Sequence, residues 1–125
     1  MIFITGSESF IGKKLILKLK NKNIQHFGID IIKKRKKNYA CVDIRSNKVE
    51  KYIPRNSIII HLAAISNHKQ FEKDKINGMD ININGTINLI KIAEKKKCKQ
   101  FIFSSSEWVY GNKNLKLMRE KEKIN

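Results

Sequence analysis

The feature that most constrains the fold is the stretch at residues 1–12, which reads MIFITGSESFIG. Residues 2–5 have the short, apolar character of a buried parallel strand, and a lysine-rich helical pattern follows at 11–20. Gly6 can make the tight turn between them, and Gly12 allows the helix to pack closely on the sheet. A helix start carries unpaired N–H groups and the positive end of the helix dipole, so this order predicts a binding site for a phosphate.

A P-loop is a second interpretation of two glycines followed by lysine, and the spacing argues against it. Five residues separate Gly6 from Gly12, whereas the P-loop motif has four between its glycines. Lys14 also occupies the position where that motif needs a magnesium-binding Ser or Thr. We therefore favour a dinucleotide loop over a nucleotide-triphosphate loop.

Short apolar runs alternate with helical patterns along the whole chain, which predicts an α/β fold with a parallel sheet of about five strands. The predicted strands are residues 2–5, 24–29, 39–42, 57–60 and 100–103. Residues 46–53 are expected to form a short helix with few favourable residues. Residues 66–78 are polar, and Gly78 is expected to break any helix there. A longer helix is predicted from Met79, on an apolar stripe formed by Met79, Ile83, Ile87 and Ile90.

The charge of the chain permits a nucleic-acid-binding protein but does not favour one. The net charge is +16, yet the lysines are spread over nearly every segment and no aromatic–basic motif is interleaved with them. A solvated lysine surface is the preferred interpretation, and a basic nucleic-acid-binding protein remains the unfavoured alternative.

The cysteine, histidine and hydropathy patterns argue against a metal-binding protein and against a membrane-spanning one. Cys41 and Cys98 lack metal-ligand spacing and are expected to be reduced, mostly buried thiols. The three histidines do not cluster, so no metal site is predicted. No apolar run is long enough to span a membrane. We expect a cytoplasmic protein without a membrane partner.

Asp30 is the second informative residue. It closes the second predicted strand about 20 residues after the glycine loop, where a carboxylate suits the hydroxyls of an adenosine ribose. Such an acid favours NAD over NADP because it repels a 2′-phosphate. The nearby cations Lys33, Lys34 and Arg35 would soften that preference, and a plain turn residue is the alternative role for Asp30.

The glycine loop resembles the Thr-Gly-x-x-Gly-x-x-Gly fingerprint of the extended short-chain dehydrogenase/reductases, the NAD-dependent epimerase/dehydratase family. The matching residues are Thr5, Gly6, Gly12 and the pair Phe10-Ile11. Ser9 stands where the family has its middle glycine, which lets the pyrophosphate approach the backbone. We expect Ser9 to crowd the pyrophosphate unless its φ angle is negative.

Four further blocks resemble the same family. They are Asp43-Ile44-Arg45, His61-Leu62-Ala63-Ala64, Asn82-Ile83-Asn84-Gly85-Thr86-Ile87-Asn88-Leu89 and the Ser104–Gly111 block SSSEWVYG. The resemblance implies that Asp43 accepts from the adenine amino group and that Ile44 supplies an apolar edge. A helix N-cap is the alternative for Asp43.

The same resemblance assigns the remaining site residues. The implied cofactor-binding set is Gly6, Ser9, Phe10, Ile11, Gly12, Asp30, Asp43, Ile44, Leu62, Ala63, Ala64 and Asn82. Ser106 falls on the family's catalytic Ser/Thr, whose hydroxyl orients a substrate oxygen for hydride transfer. His61 is expected to be structural.

The family's catalytic Tyr-x-x-x-Lys pair has no match here, because Tyr39, Tyr52 and Tyr110 lack a lysine four residues on. The resemblance covers essentially all of this chain but only the N-terminal portion of the family. It implies a Rossmann-like, doubly wound parallel sheet, truncated before the substrate-binding part. We expect residues 1–111 to form the NAD-binding domain and 112–125 a charged C-terminal tail.

The implied function is NAD-dependent epimerisation or dehydration of a nucleotide sugar by transient hydride transfer. Two alternatives stay open at this point: a non-catalytic nucleotide-binding remnant, and one part of a split enzyme completed by a C-terminal part encoded downstream. A homodimer is also compatible with the sequence.

Overall fold

The computed structural model describes residues 1–111 and residue 121. The predicted tail at 112–125 therefore lies outside the described residues except for that one position. Within the described part, five strands form one parallel sheet in the order β3-β2-β1-β4-β5. The strands are β1 (Ile2–Thr5), β2 (His26–Asp30), β3 (Tyr39–Cys41), β4 (Ile58–His61) and β5 (Gln100–Phe103). The predicted parallel sheet of about five strands is confirmed, with boundaries shifted by one or two residues.

Helices lie on both faces of this sheet. They are α1 (Phe10–Asn21), α2 (His68–Lys73), α3 (Lys75–Met79) and α4 (Gly85–Lys95), with 3₁₀ helices at Asn47–Tyr52 and Glu107–Tyr110. A π-helical segment, Asp80–Asn84, joins α3 to α4. Since Ile16 of α1 lies beside Gly28 on one face, while Thr86 of α4 contacts His61 on the other, the sheet is doubly wound.

The main hydrophobic core lies between the sheet and α4. Alternation along the strands directs Phe3, Ile29 and Ile59 to this face, where they pack with residues of α4 and of the loops after β3. Its buried members are Phe3, Ile29, Ala40, Ile44, Val49, Ile53, Ile59, Leu89, Ile92 and Ala93.

Two predictions about residues 78–90, from α3 to the first half of α4, are wrong in detail. Gly78 does not break a helix but lies inside α3, where its missing side chain makes room for the ring of Phe71; a Cβ there would lie 2.6 Å from that ring. The predicted apolar stripe does not face the core, because its residues Met79, Ile83, Ile87 and Ile90 are 44–51% exposed. Leu89 and Ile92 provide the buried side of α4 instead.

The start of α1 packs directly on the backbone of the glycine loop. A Cβ at Gly12 would lie 2.4 Å from the carbonyl oxygen of Gly6 and 2.9 Å from backbone atoms of Ser7. Backbone atoms cannot rotate away as a side chain can. The predicted close packing at Gly12 is present, but its nearest neighbours belong to the loop between β1 and α1 and not to a strand of the sheet.

We predict that Gly12→Ala lowers the free energy of unfolding by about 1–3 kcal/mol, the usual range for overpacking, although alanine is the better helix former. Gly78→Ala is the matched control, since its Cβ meets only the half-buried ring of Phe71, which can move. Urea unfolding of both variants checks this. A Gly12→Ala chain as stable as the wild type would contradict the packing argument.

Candidate functional site

A groove runs along the carboxyl ends of the strands. Strand β2 lies on one side of β1 and β4 lies on the other, so the strand order changes direction at β1. In open α/β sheets, ligands bind at the carboxyl ends of the strands at such a point. Two cavities flank this point, with volumes of about 440 Å³ on the β2 side and about 370 Å³ on the β4 side. Both are lined by Ser9, Leu62, Ala63 and Ala64. We call them the first and second cavity, and together the crossing groove.

The glycine loop forms the middle of the crossing groove. Gly6 has a φ of +65°, and a Cβ on it would lie 2.7 Å from the backbone nitrogen of Ala63. Glycine is therefore required there for both the turn and the close approach of the β4 loop. The predicted tight turn at Gly6 is present.

Ser9 does not have the strained backbone that would make it crowd a ligand. Its φ is −65°, which any residue adopts, and it is the N-cap of α1: its hydroxyl oxygen accepts the N–H of Gly12 at 3.1 Å. A serine here stabilises the helix start, and a glycine in its place would lose that cap. The first turn of α1 retains the other unpaired N–H groups of a helix start, next to Phe10 and Ile11, which line the second cavity.

Asp30 lies in the first cavity at the end of β2. One carboxylate oxygen accepts the N–H of Glu8 at 2.9 Å and the other accepts the N–H of Ile32 at 3.3 Å. These bonds fix the carboxylate against the glycine loop. Each oxygen can still accept another hydrogen bond, for example from a hydroxyl group.

Asp43 and Ile44 also line the first cavity. The Arg45 guanidinium lies 2.6 Å from the Asp43 carboxylate, and its hydrogen bonds hold the pKa of Asp43 below its ordinary value. Ile44 is almost fully buried and packs on Gly85. The alternative role of Asp43 as a helix cap is wrong, because Ser46 caps the 3₁₀ helix that follows.

Arg45 is a site residue that sequence reasoning did not single out. Besides Asp43, it donates to the Asp80 carboxylate at 2.7 Å and to the Asn77 side chain at 3.0 Å. It therefore ties the loop after β3 to α3 and the π-helical segment, at the rim of the first cavity. The Asp-Ile-Arg block contained this residue, but nothing in the sequence showed its distant partners.

Asn82 holds the loop after β4. Its side-chain oxygen accepts the N–H of Ile65 at 2.8 Å, and its amide donates to the Ile65 carbonyl at 3.1 Å. Asn82 does not belong to the lining of either cavity. Its geometry is that of a residue that positions the loop carrying Leu62, Ala63 and Ala64.

Ser106 follows β5 and is next in sequence to two residues that line the second cavity. Ser104 and Ser105 line that cavity, while Ser106 is exposed and leads into the 3₁₀ helix Glu107–Tyr110. The backbone N–H of Ser104 donates to the His61 carbonyl at 3.2 Å, which fixes the start of this loop to β4. The catalytic role of Ser106 remains a prediction.

His61 is buried in a hydrogen-bond chain that connects β1, β4 and α4. Thr86 donates its hydroxyl hydrogen to the Asn82 carbonyl at 2.6 Å, so its oxygen must accept from Nε2–H of His61, at 2.9 Å. Nδ1 of His61 then accepts from the Thr5 hydroxyl at 2.6 Å. The backbone N–H groups of Leu62 and Ala63 donate to the same Thr5 oxygen, each at 3.2 Å.

This arrangement suits only the neutral, Nε2-protonated imidazole. A proton on Nδ1 would face a hydroxyl oxygen that already accepts two N–H groups, and burial lowers the pKa of His61 from 6.5 to about 4. His61 is therefore structural, as expected from the sequence, and holds no positive charge near neutral pH.

We predict that protonation of His61 destabilises the fold in acid. Since the unfolded chain takes up this proton near pH 6.5 and the folded chain only near pH 4, the stability present above pH 6.5 falls as the pH drops from about 6.5 towards 4. An NMR titration of the His61 ring and unfolding curves across this range check it.

The His61→Asn variant should lose this part of the pH dependence, whereas His68→Gln, at the exposed start of α2, should keep it. A His61 ring that becomes charged between pH 6 and 7 in the folded chain would contradict the hydrogen-bond assignment.

The two cysteines are free thiols: Cys41 is exposed, contrary to the expected burial, and Cys98 is half-buried. Residues 1–111 and 121 contain no group of three or more His, Cys, Asp or Glu side chains able to hold a metal ion. In the same part of the chain, none of the helices has the length and apolar character needed to cross a membrane. The sheet and the crossing groove define a Rossmann-like α/β protein.

Comparison with known proteins identifies the family. The family model described as NAD dependent epimerase/dehydratase family matches residues 2–124, so the chain belongs to this family. A putative UDP-glucose 4-epimerase of Methanocaldococcus jannaschii is 30% identical over 135 residues, which cover 100% of this chain and 44% of that protein.

Solved structures agree on the fold. A UDP-glucose-4-epimerase from Stenotrophomonas maltophila, with bound NAD and formylated UDP-arabinopyranose, has a TM-score of 0.84 at 20% identity over 99% of this chain and 42% of its own. A UDP-glucose 4-epimerase from Thermotoga maritima, with UDP-glucose, has a TM-score of 0.76 at 26% identity over 93% of this chain and 41% of its own. The chain thus spans less than half the length of each of these three relatives.

Proposed function

We propose that this chain is the NAD-binding part of an enzyme that epimerises or dehydrates a nucleotide sugar. The observation that carries the proposal is the crossing groove, which passes over the glycine loop with a fixed carboxylate, Asp30, at one end. A dinucleotide has the same layout: two nucleosides joined by a pyrophosphate. The family to which the chain belongs is NAD-dependent.

The residues present fit this cofactor. The missing side chain of Gly6 and the helix start at Ser9 leave backbone N–H groups available to a pyrophosphate. Asp30 has oxygen lone pairs for ribose hydroxyls, and Asp43 with Ile44 provides a polar and an apolar contact for adenine. The proposed contacts on both sides of the pyrophosphate are Gly6, Ser9, Phe10, Ile11, Gly12, Leu62, Ala63 and Ala64, with Asn82 acting through the loop that it holds.

When bound, NAD supplies a reversible hydride acceptor for the sugar. The second cavity, next to the serine-rich loop after β5, would then hold the nicotinamide end. Ser106 is the proposed catalytic residue of this loop, its hydroxyl orienting the reacting oxygen of the sugar. His61 stays neutral and contributes by fixing the loop at Leu62 and Ala63.

A binding role without catalysis is the second candidate, and one observation favours it. None of the three tyrosines has a lysine four residues on, so this chain lacks the family's proton-transfer pair. A proton-transfer pair for this site would have to come from residues other than the 125 of this sequence, because a second copy lacks the pair as well. Both candidates require the same cofactor groove.

We predict that the chain prefers NAD to NADP because the Asp30 carboxylate repels a 2′-phosphate. Loss of a charged hydrogen-bond pair costs about 1.5–3 kcal/mol, so Asp30→Ala should weaken NAD binding roughly ten- to a hundredfold. Isothermal titration with both cofactors measures this. Asp30→Asn is the control that keeps a hydrogen-bond acceptor but removes the negative charge. It should reduce the ratio of the NADP to the NAD dissociation constant. Equal binding of both cofactors by the wild type would refute the assignment.

We also predict that the 125-residue chain alone does not turn over nucleotide sugars. A serine hydroxyl is too weak a base near neutral pH, and general acid–base catalysis typically contributes about 10²–10⁴-fold. UDP-sugar epimerase and dehydratase assays test this, with a chain extended by a segment carrying Tyr-x-x-x-Lys as the positive comparison. Turnover by the short chain that Ser106→Ala abolishes would mean that another residue acts as the base.

A further inference from the structure

Glu8 is an acidic residue inside the glycine loop whose side chain is only 2% exposed. Its two carboxylate oxygens lie 3.1 Å from the ammonium nitrogen of Lys34 and 2.6 Å from that of Lys36. Both lysines come from residues 33–37, the basic segment after β2, and their side chains are partly exposed. The function proposed above leaves this buried ion pair unexplained.

The ion pair lies at the Asp30 end of the first cavity. The backbone N–H of Glu8 donates to Asp30, and Glu8 and Asp30 line that cavity together with Ile31 and Ile32. The Tyr39 hydroxyl donates to the Ile32 carbonyl and so fixes the start of the basic segment. Two carboxylates therefore line this end of the first cavity, and the two ammonium groups that pair with Glu8 bring the formal sum of the four charges to zero.

We propose that Glu8 is a second cofactor-selecting residue, which favours NAD over NADP by holding Lys34 and Lys36 away from a 2′-phosphate. This inference rests on the proposed binding of NAD in the crossing groove. It assigns to Glu8 a role distinct from that of Asp30: Asp30 repels the phosphate, and Glu8 occupies the cations that would otherwise attract it.

The energetics of the Glu8 ion pairs support these separate roles for Asp30 and Glu8. A 2′-phosphate carries about −1.5 to −2 charges and needs lysine or arginine donors that are not already paired. Removing lysine from a buried carboxylate leaves that carboxylate uncompensated, which is strongly unfavourable. The lysines therefore stay with Glu8 when NADP approaches, and they become available only when Glu8 loses its charge.

The test measures dissociation constants of NAD and NADP for the wild-type chain and for Glu8→Gln. We expect the ratio of the NADP to the NAD dissociation constant to fall by about tenfold or more in Glu8→Gln, the effect of one nearby charge in a partly shielded site. Glu50→Gln is the matched control: Glu50 also pairs with two lysines, Lys95 at 2.9 Å and Lys96 at 3.8 Å, but it does not line the groove. For Glu50→Gln, the ratio of the NADP to the NAD dissociation constant should equal that of the wild type.

A second variant keeps the proposal testable if Glu8→Gln does not fold. Replacing Lys34 and Lys36 by methionine removes both cations that pair with Glu8. Whether Glu8 then stays charged or takes up a proton, the formal charge beside Asp30 becomes negative, so the ratio should rise by about tenfold or more. Replacing Lys33 and Lys37 by methionine makes the same change in net charge within the same segment, and neither residue pairs with Glu8 in the described structure. That control should change the ratio much less.

The outcomes separate the two proposals. If the wild type binds NAD but the ratio is unchanged in Glu8→Gln, or changes equally in Glu50→Gln, the role of Glu8 is refuted and NAD binding stands. If Glu8→Gln does not fold, an unchanged ratio in the Lys34 and Lys36 variant refutes it equally. If the wild type binds neither nucleotide, the proposed function fails, and the role of Glu8 fails with it.

Discussion

The hydrogen-bond chain through His61 is the constraint on which the groove depends. Thr5 ends β1, His61 ends β4, and Thr86 belongs to α4, so three elements distant in sequence meet at one buried imidazole. The same Thr5 oxygen accepts the N–H groups of Leu62 and Ala63. The backbone of Ala63 is thereby held so close to Gly6 that no side chain fits between them. The shape of the groove follows from this contact.

Electrostatics at the two ends of the first cavity depend on paired charges. At one end, Glu8 is neutralised by Lys34 and Lys36; burial alone would raise its pKa, but the two lysines outweigh that effect and lower it below the ordinary value. At the other end, Asp43 and Asp80 share Arg45, and hydrogen bonds from Asn84 and Arg45 lower the pKa of Asp80. In a chain of net charge +16, carboxylates thus fix the cations at the groove in defined positions.

The sequence was a good guide where a local pattern decides the outcome. Apolar runs located all five described strands, and the glycine spacing located the turn at Gly6 and the close packing at Gly12. The sequence was a poor guide where the partner is distant. The stripe of Met79 and Ile83 identified a helix but not its buried side, because that helix is apolar on two sides.

The candidate site shows the same division. The position of Asp30 at the end of β2, in the lining of the first cavity, was predictable because the spacing of such an acid from the glycine loop is nearly constant in dinucleotide-binding folds. The pairing of Glu8 with residues 34 and 36, and of Arg45 with residues 77 and 80, depends on loops whose path no local pattern encodes. The φ angle of Ser9 likewise became known only from the structure. It shows that Ser9 is a helix cap with an ordinary backbone conformation, whereas the sequence led us to expect an obstacle to the pyrophosphate.

The proposed function requires a dinucleotide to lie across β1, in contact with both cavities. An NMR titration of the ¹⁵N-labelled chain with NAD tests it most directly, because every backbone N–H reports its own surroundings. We expect saturable shifts in three groups of amides, at residues 8–12, 30–32 and 62–65, with small changes on the exposed side of α4. Shifts confined to one cavity, or spread over the lysine surface and lost with added salt, would contradict it.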